Sequence, residues 1–359
     1  MPMHDRVKHT TNTTPTTPKS ASRVLRNTDD LVAAGLVPPD QATALEGVSE
    51  RYATAVPKAF QDLITHPDDP IGRQVIPTAH EAITLPHENI DPIGDDALSP
   101  VPGIVHRYED RALLKPLLIC PLYCRFCFRR EHVGPDGGLL NEQDLERALT
   151  WIAEHPKVTE IILTGGDPLM LSPRRLKYII AALSSIPHIE TIRIHSRVPV
   201  ADPARLTPEL LDALETDRAM WLVAHINHAR ELTAEARSGI RSILARAIPV
   251  LSQSVLLRGV NDTEETLEGL LRALVTARIK PYYLHHLDSA PGTAHFHVPI
   301  EEGQALLSRL RGRVTGLAWP TYVLDIPGGK GKVPIGPNYL EPNTPNAVRS
   351  PNGELNHFT

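Results

Sequence analysis

Three cysteines stand within eight residues, Cys120-Pro-Leu-Tyr-Cys124-Arg-Phe-Cys127, and the chain has no others. Thiolates are soft ligands, and three on one short loop can hold three irons of a 4Fe–4S cube. The fourth iron then stays open for a substrate or cofactor. A structural zinc is the competing reading. It would need a fourth protein ligand, and a histidine would have to serve, at a cysteine spacing unusual for zinc ribbons. Two other stretches could carry chemistry. Thr164-Gly165-Gly166-Asp167-Pro168 follows an apolar run. It reads either as an ordinary turn or as a place where backbone comes close to a ligand. Asp325-Ile-Pro-Gly328-Gly329-Lys330-Gly331-Lys332 sets lysines on a glycine-rich turn. Such a lysine can form a Schiff base with pyridoxal phosphate (PLP) or bind a phosphate, or it is simply a solvated basic turn.

Positioning these groups requires a scaffold. Apolar strand-like runs occur at 113–119, 159–164, 190–195, 219–225, 249–257 and 281–286. Helical stretches lie near 141–154, 173–186, 208–216, 232–246 and 263–277, the first opened by Asn141 and Asp144 in a capping pattern. Six βα units in series predict an α/β fold, a parallel sheet covered by helices and curled into a partial TIM-like barrel. Ligands collect at the carboxyl ends of such strands, and the cysteine loop directly follows the first. A helix near 300–313 and an extended stretch at 320–325 come next.

The sequence divides into four regions. Residues 1–20 are Thr/Pro-rich and are expected to be disordered. Residues 21–106 form an N-terminal helical and wrapping segment. Its apolar spacing begins near Thr28, with Asp40 as the expected cap of a second run, and it turns irregular and Pro-rich from 66. Residues 107–336 hold the barrel and the lysine turn, and 337–359 are an arm or a disordered tail. The formal net charge is −5, so a general nucleic-acid binder is not expected. No apolar run of membrane-spanning length exists. The start, MPMHDRVK, lacks the apolar stretch of a secretory signal. A cytoplasmic location is expected, where thiols stay reduced.

The cysteine spacing, with Phe126 before the last cysteine, resembles the radical S-adenosylmethionine (SAM) superfamily. Gly165-Gly166-Asp167, one βα unit later, resembles its GGE-type motif. From about Val105 to Tyr339 the chain resembles the lysine 2,3-aminomutase family. The segments that carry this are HRYEDRALL, CPLYCRFCFRR, LTGGDPLM, IHSRVPV, HINHARELT, QSVLLRGVND, PYYLHHLD and DIPGGKGKVPIGPNY. Its middle is most similar to the short branch that makes β-lysine for elongation factor P, whereas PGGKGKVP is more similar to catabolic members.

The resemblance implies a radical SAM partial barrel and the following roles. Cys120, Cys124 and Cys127 ligate the cluster. Gly165, Gly166, Asp167, His225 and Gln253 contact SAM. Lys332 carries PLP, with Lys330 as a rival because it replaces a glycine of the usual PGGGGK run, and Arg107 and Tyr108 lie near PLP. Arg129 binds the substrate carboxylate. Asp288 and Asp325 bind the distal ammonium, and Arg111 braces that pair. Taken alone, Asp288 reads as a turn residue and Asp325 as a strand-end acid. Retention of both acids implies lysine rather than glutamate as substrate. A flavodoxin or ferredoxin would supply the electron. With no cysteine beyond the triad, no structural zinc is expected, and a homodimer is the working expectation for assembly. Alternatives are a radical SAM aminomutase acting on another amino acid, or a non-catalytic metal-binding scaffold.

Overall fold

The computed structural model describes residues 23–358. The 1–20 stretch, expected to be disordered, lies outside them. One sheet holds nine strands in chain order. β1 (Ile104–Tyr108) and β2 (Arg111–Leu117) form an antiparallel hairpin. β3 (Glu160–Gly165), β4 (Thr191–Ser196), β5 (Ala219–His225), β6 (Val250–Val255), β7 (Lys280–His285) and β8 (Thr321–Asp325) follow in parallel. β9 (Lys332–Pro334) returns antiparallel to β8. All six expected strands and the 320–325 stretch are present, and the latter adds a further parallel strand. β1 falls at the end of the stretch whose sequence is irregular and Pro-rich. Only Ile104 and Val105 are buried along it, so it shows no alternation to read.

Amphipathic helices cover the outer face. Helix Glu142–Ala153 buries Leu145, Ala148, Leu149 and Ile152, and helix Pro173–Ser185 buries Leu176, Ile179, Ile180 and Leu183. Each large aliphatic side chain removed from water contributes about 1.5–3 kcal/mol. Asn141 caps the first of these helices, accepting from the Asp144 N–H at 2.8 Å. Asp40 does not act as a cap. It sits inside the 3-10 turn Pro39–Gln41, and helix Glu46–Arg51 starts from Leu45 with no side-chain cap. Pro38 and Pro39 impose extended-then-turn geometry there, which displaces the helix start by several residues.

The sheet is curled. Side chains from all nine strands line a single cavity of about 550 Å³. The strand order runs from β1 to β9 without pairing the two, so the barrel is open at that seam. The tail beyond Pro337 forms an antiparallel pair, β10 (Ala347–Arg349) with β11 (Leu355–His357). No helix among the described residues is long and apolar enough to cross a membrane.

Candidate active site

The cysteine loop leaves the carboxyl end of β2 and is pinned from outside. Arg125 and Arg130, which flank the last cysteine, both reach Glu81 in the proline-rich wrap. Arg125 grips it with Nε (3.0 Å) and Nη2 (2.6 Å), and Arg130 Nη2 completes the pair. Glu81 has no solvent exposure. Burial would raise its carboxyl, but the two guanidinium groups outweigh that and hold it below the usual range. The Arg125 N–H also donates to the Gln74 carbonyl (2.9 Å).

β3 closes on the loop from inside. The Gly166 N–H donates to Leu117 O (2.8 Å) and the Asp167 N–H to Ile119 O (2.9 Å). A Cβ at Gly166 would lie 2.4 Å from the Ile119 carbonyl oxygen, and Gly165 has φ +101°. Here the glycines serve close backbone packing between β3 and the cysteine loop. The Asp167 carboxylate is fully engaged within the protein. It accepts from Leu169 N (3.1 Å), Ser196 Oγ (2.8 Å), Arg197 N (2.7 Å) and Val198 N (3.0 Å). Four donors thus hold the carboxylate against the turn that follows β4 and the start of the next turn of its own loop.

All three cysteines line the cavity. Burial, with the charge of Asp167 adding to it, pushes the Cys120 thiol well up, and burial beside Cys124 pushes the Cys127 thiol up to about 11. Iron binding must displace those protons. Arg197 Nη1 donates to Cys124 Sγ (2.7 Å), and its other arm meets Gln74 Oε1 (2.5 Å) and Glu231 (3.4 Å). Among the described residues no three His, Cys, Asp or Glu side chains converge as ligands of a single ion. Three soft thiols spread along one loop, with a cation donating to one sulfur, fit an anionic iron–sulfur cluster. His225 and Gln253, on neighbouring strands in register, lie on the cavity wall, His225 bonded to Asn227 (3.1 Å).

Elsewhere in the same lining, Lys332 opens β9 directly opposite Asp325 on β8. Its Nζ lies 2.5 Å from Asp325 Oδ2. The Lys332 N–H donates to Tyr108 Oη on β1 (2.7 Å), and Arg107 Nη1 meets Asp325 Oδ1 (3.0 Å). These side chains lace the open seam. Lys330 is exposed and is not part of the lining. Arg111 stacks on the Tyr108 ring (3.8 Å) and pairs with Asp110 (2.7 Å). It braces neither acid, because its guanidinium is taken up by Asp110 and the Tyr108 ring. Arg107 takes that place. Asp288, in the loop after β7, is pushed up to about 7 by burial and by the nearby charge of Asp325.

Arg129 lines the cavity with its guanidinium clamped by Asp95, at 2.9 Å from Nε and 2.7 Å from Nη2. Asp95 was not foreseen. It lies in an irregular Pro-rich stretch with no periodic signal. His195 on β4 was also missed, although it stands inside the IHSRVPV segment. Its buried Nε2 has no protein hydrogen-bond partner, and burial together with Arg193 keeps the ring neutral by pulling its pKa well down. An amine, a neutral imidazole and several guanidinium groups around one enclosed space fit an aldehyde cofactor that carries a phosphate.

Two family models match the chain, one described as Radical SAM superfamily over residues 114–271 and one as Lysine-2,3-aminomutase over residues 307–354. L-lysine 2,3-aminomutase of Clostridium subterminale is 42% identical over 274 residues, 76% of this chain and 66% of that protein. The Acetoanaerobium sticklandii protein of the same name is 38% identical over 312 residues, 86% and 75% of the two chains. The one from Escherichia coli K12 is 39% identical over 287 residues, 79% and 83%. The chain thus spans about two thirds of the first relative and more of the other two.

Proposed function

The chain belongs to the lysine 2,3-aminomutase family within the radical SAM superfamily, and on that premise we propose that it interconverts L-lysine and β-lysine by moving the 2-amino group to C3. Radical SAM membership brings a 4Fe–4S cluster and SAM, for which Cys120, Cys124 and Cys127 are the ligands present. One observation carries the reading. Lys332 opens into the same cavity as the three cysteines, with Asp325 beside it and Asp288 and Arg129 also in its lining.

In this proposal Lys332 holds PLP near Arg107 and Tyr108. The backbone of Gly165, Gly166 and Asp167, with His225 and Gln253, holds SAM. When bound, the cluster with SAM supplies a hydrogen-abstracting radical, and PLP supplies a π system that lets nitrogen migrate. The protein's own part is orientation and exclusion of water. The Arg129 guanidinium offers a planar fork for the α-carboxylate. Asp288 and Asp325 offer paired acceptors for the distal ammonium, which would reject a substrate ending in a carboxylate. A cluster that must stay reduced favours a cytoplasmic location and a flavodoxin or ferredoxin as electron donor, and a homodimer remains the expected assembly.

The test is turnover by the anaerobically reconstituted full chain with lysine, ornithine, arginine and glutamate offered in parallel. β-Lysine from lysine alone is the expected outcome. Absence of β-lysine, with product from another amino acid, would replace the substrate. Zinc in place of iron, with no PLP retained, would replace the enzyme with a scaffold.

A pH dependence follows from Asp288. Its carboxyl titrates at about 7, so above that it is anionic and attracts the protonated distal amine. The KM for lysine is expected to fall roughly tenfold between pH 6 and 8, following the ionised fraction, and Asp288→Asn should flatten that change. The sign for folding is opposite. The native state holds this proton more tightly than the unfolded chain, so its stabilising contribution is full below about 3.8 and is lost as pH rises to about 7.

A further inference from the structure

We propose that Asp95 is a specificity-determining positioning residue that sets the span between the carboxylate end and the ammonium end of the substrate pocket. This rests on the functional reading above, which gives Arg129 and the Asp288–Asp325 pair those two ends. Five charges of alternating sign cross the barrel seam. Lys332 pairs with Asp325, Asp325 with Arg107 (3.0 Å), Arg107 with Asp95 (3.4 Å), and Asp95 with Arg129 (2.7 Å). Asp95 occupies only the Nε–Nη2 edge of the Arg129 guanidinium. The Nη1-bearing edge takes no part in that pair and keeps the fork geometry that binds a carboxylate. Clamping one edge therefore fixes the aim of the other.

The clamp is itself fixed to the lysine turn. Residues 92–98 pack on the Pro327–Lys332 turn so tightly that a Cβ at Gly94 would lie 2.8 Å from the Gly328–Gly329 backbone, and one at Gly329 would lie 2.6 Å from Leu98. Gly94 has φ +71°, in the left-handed region that favours glycine. The Asp95 N–H donates to Asp91 Oδ1 (2.7 Å), and its carbonyl accepts from Ser99 Oγ (2.8 Å). Asp95 is 5% exposed. Its carboxylate thus rides on a segment locked to the loop that delivers Lys332, while its Oδ2 holds the arginine on the cysteine loop and its Oδ1 faces Arg107. Wrap, lysine turn and cysteine loop share one fixed spacing, and that spacing is the length of substrate that fits.

The experiment compares lysine with ornithine, one methylene shorter, in the reconstituted full chain and its Asp95→Asn and Asp95→Glu variants. Losing a charge-assisted pair should raise the lysine KM about 10- to 100-fold in Asp95→Asn, with a smaller change in kcat. The lysine-to-ornithine ratio of kcat/KM should fall, because the arginine is no longer aimed. Asp95→Glu keeps the charge but pushes Arg129 inward by about one bond length, so ornithine should gain on lysine. Melting temperature is followed in parallel. Equal losses for both substrates together with a lower melting temperature, or no change in either variant, would overturn the proposal and leave Asp95 a structural residue. Equilibrium binding of the two amino acids to the PLP-loaded protein needs no turnover. A wild type that makes no β-lysine would therefore sink the functional reading, while the binding ratio still decides on Asp95.

Discussion

Lys332→Ala is expected to lose turnover of lysine by roughly 1,000-fold or more, on the scale of removing a group that acts in the chemistry itself. Lys330→Ala should stay within about twofold of wild type, as surface substitutions generally do. The two lysines differ by one turn of backbone. Gly328, Gly329 and Gly331 all have positive φ, which twists the chain so that Lys330 faces solvent and Lys332 enters β9 across from Asp325. Asp325, 5% exposed, holds the amine by charge while Tyr108 holds its backbone. Visible absorption separates the outcomes. Lys332→Ala should keep the broad iron–sulfur absorption and lose the band of lysine-bound PLP. Retention of that band in Lys332→Ala and its loss in Lys330→Ala would reverse the assignment.

Glu81→Ala is expected to destabilise the fold by about 3–5 kcal/mol, because it leaves two guanidinium groups buried with no counter-charge. Arg125 and Arg130 are only 1% and 5% exposed, so neither can turn to water. The loss should appear as a lower urea midpoint and as fewer irons bound per chain, since both arginines flank the last cysteine. The wild-type pair also titrates. Its depressed carboxyl contributes stability that is complete above the unfolded value near 4.5 and disappears as pH falls through the lower native one. Acid should therefore loosen the cysteine loop, and this acid sensitivity should be reduced in Glu81→Gln. A Glu81→Ala protein with the wild-type urea midpoint and full iron content would show that the loop holds its own shape.

How much was legible depended on how local the signal was. The parallel strands could be read as short apolar runs, such as β3 with four consecutive buried residues, and the helices because their burial repeats about every four residues. Leu145, Ala148, Leu149 and Ile152 form such a stripe on one helix. β1 escaped because its pairing with β2 buries little of it beyond Ile104 and Val105. Arg107 and Arg111 sit four residues apart in one segment, and nothing in their spacing says which reaches Asp325. In the folded hairpin Arg107 reaches Asp325, while Arg111 is held by the Tyr108 ring and Asp110. Glu81 and Asp95 belong to a stretch without period, so their partners, distant in sequence, could not be inferred.

The sequence by itself determined which chemical groups are available: three soft thiols at a spacing that suits iron, a lysine after a run of glycines, one acid in a turn and one at a strand end. Those are properties of residue type and near-neighbour distance, which the covalent chain carries into any fold. Only the tertiary structure decided which charge faces which. It brought Asp95 between Arg129 and Arg107, spent the Asp167 carboxylate on the β4 turn, and separated Lys332 from Lys330. Ion pairs in a closed space depend on approach to within about 3 Å and on exclusion of water. Both arise only when strands far apart in sequence curl around the same cavity.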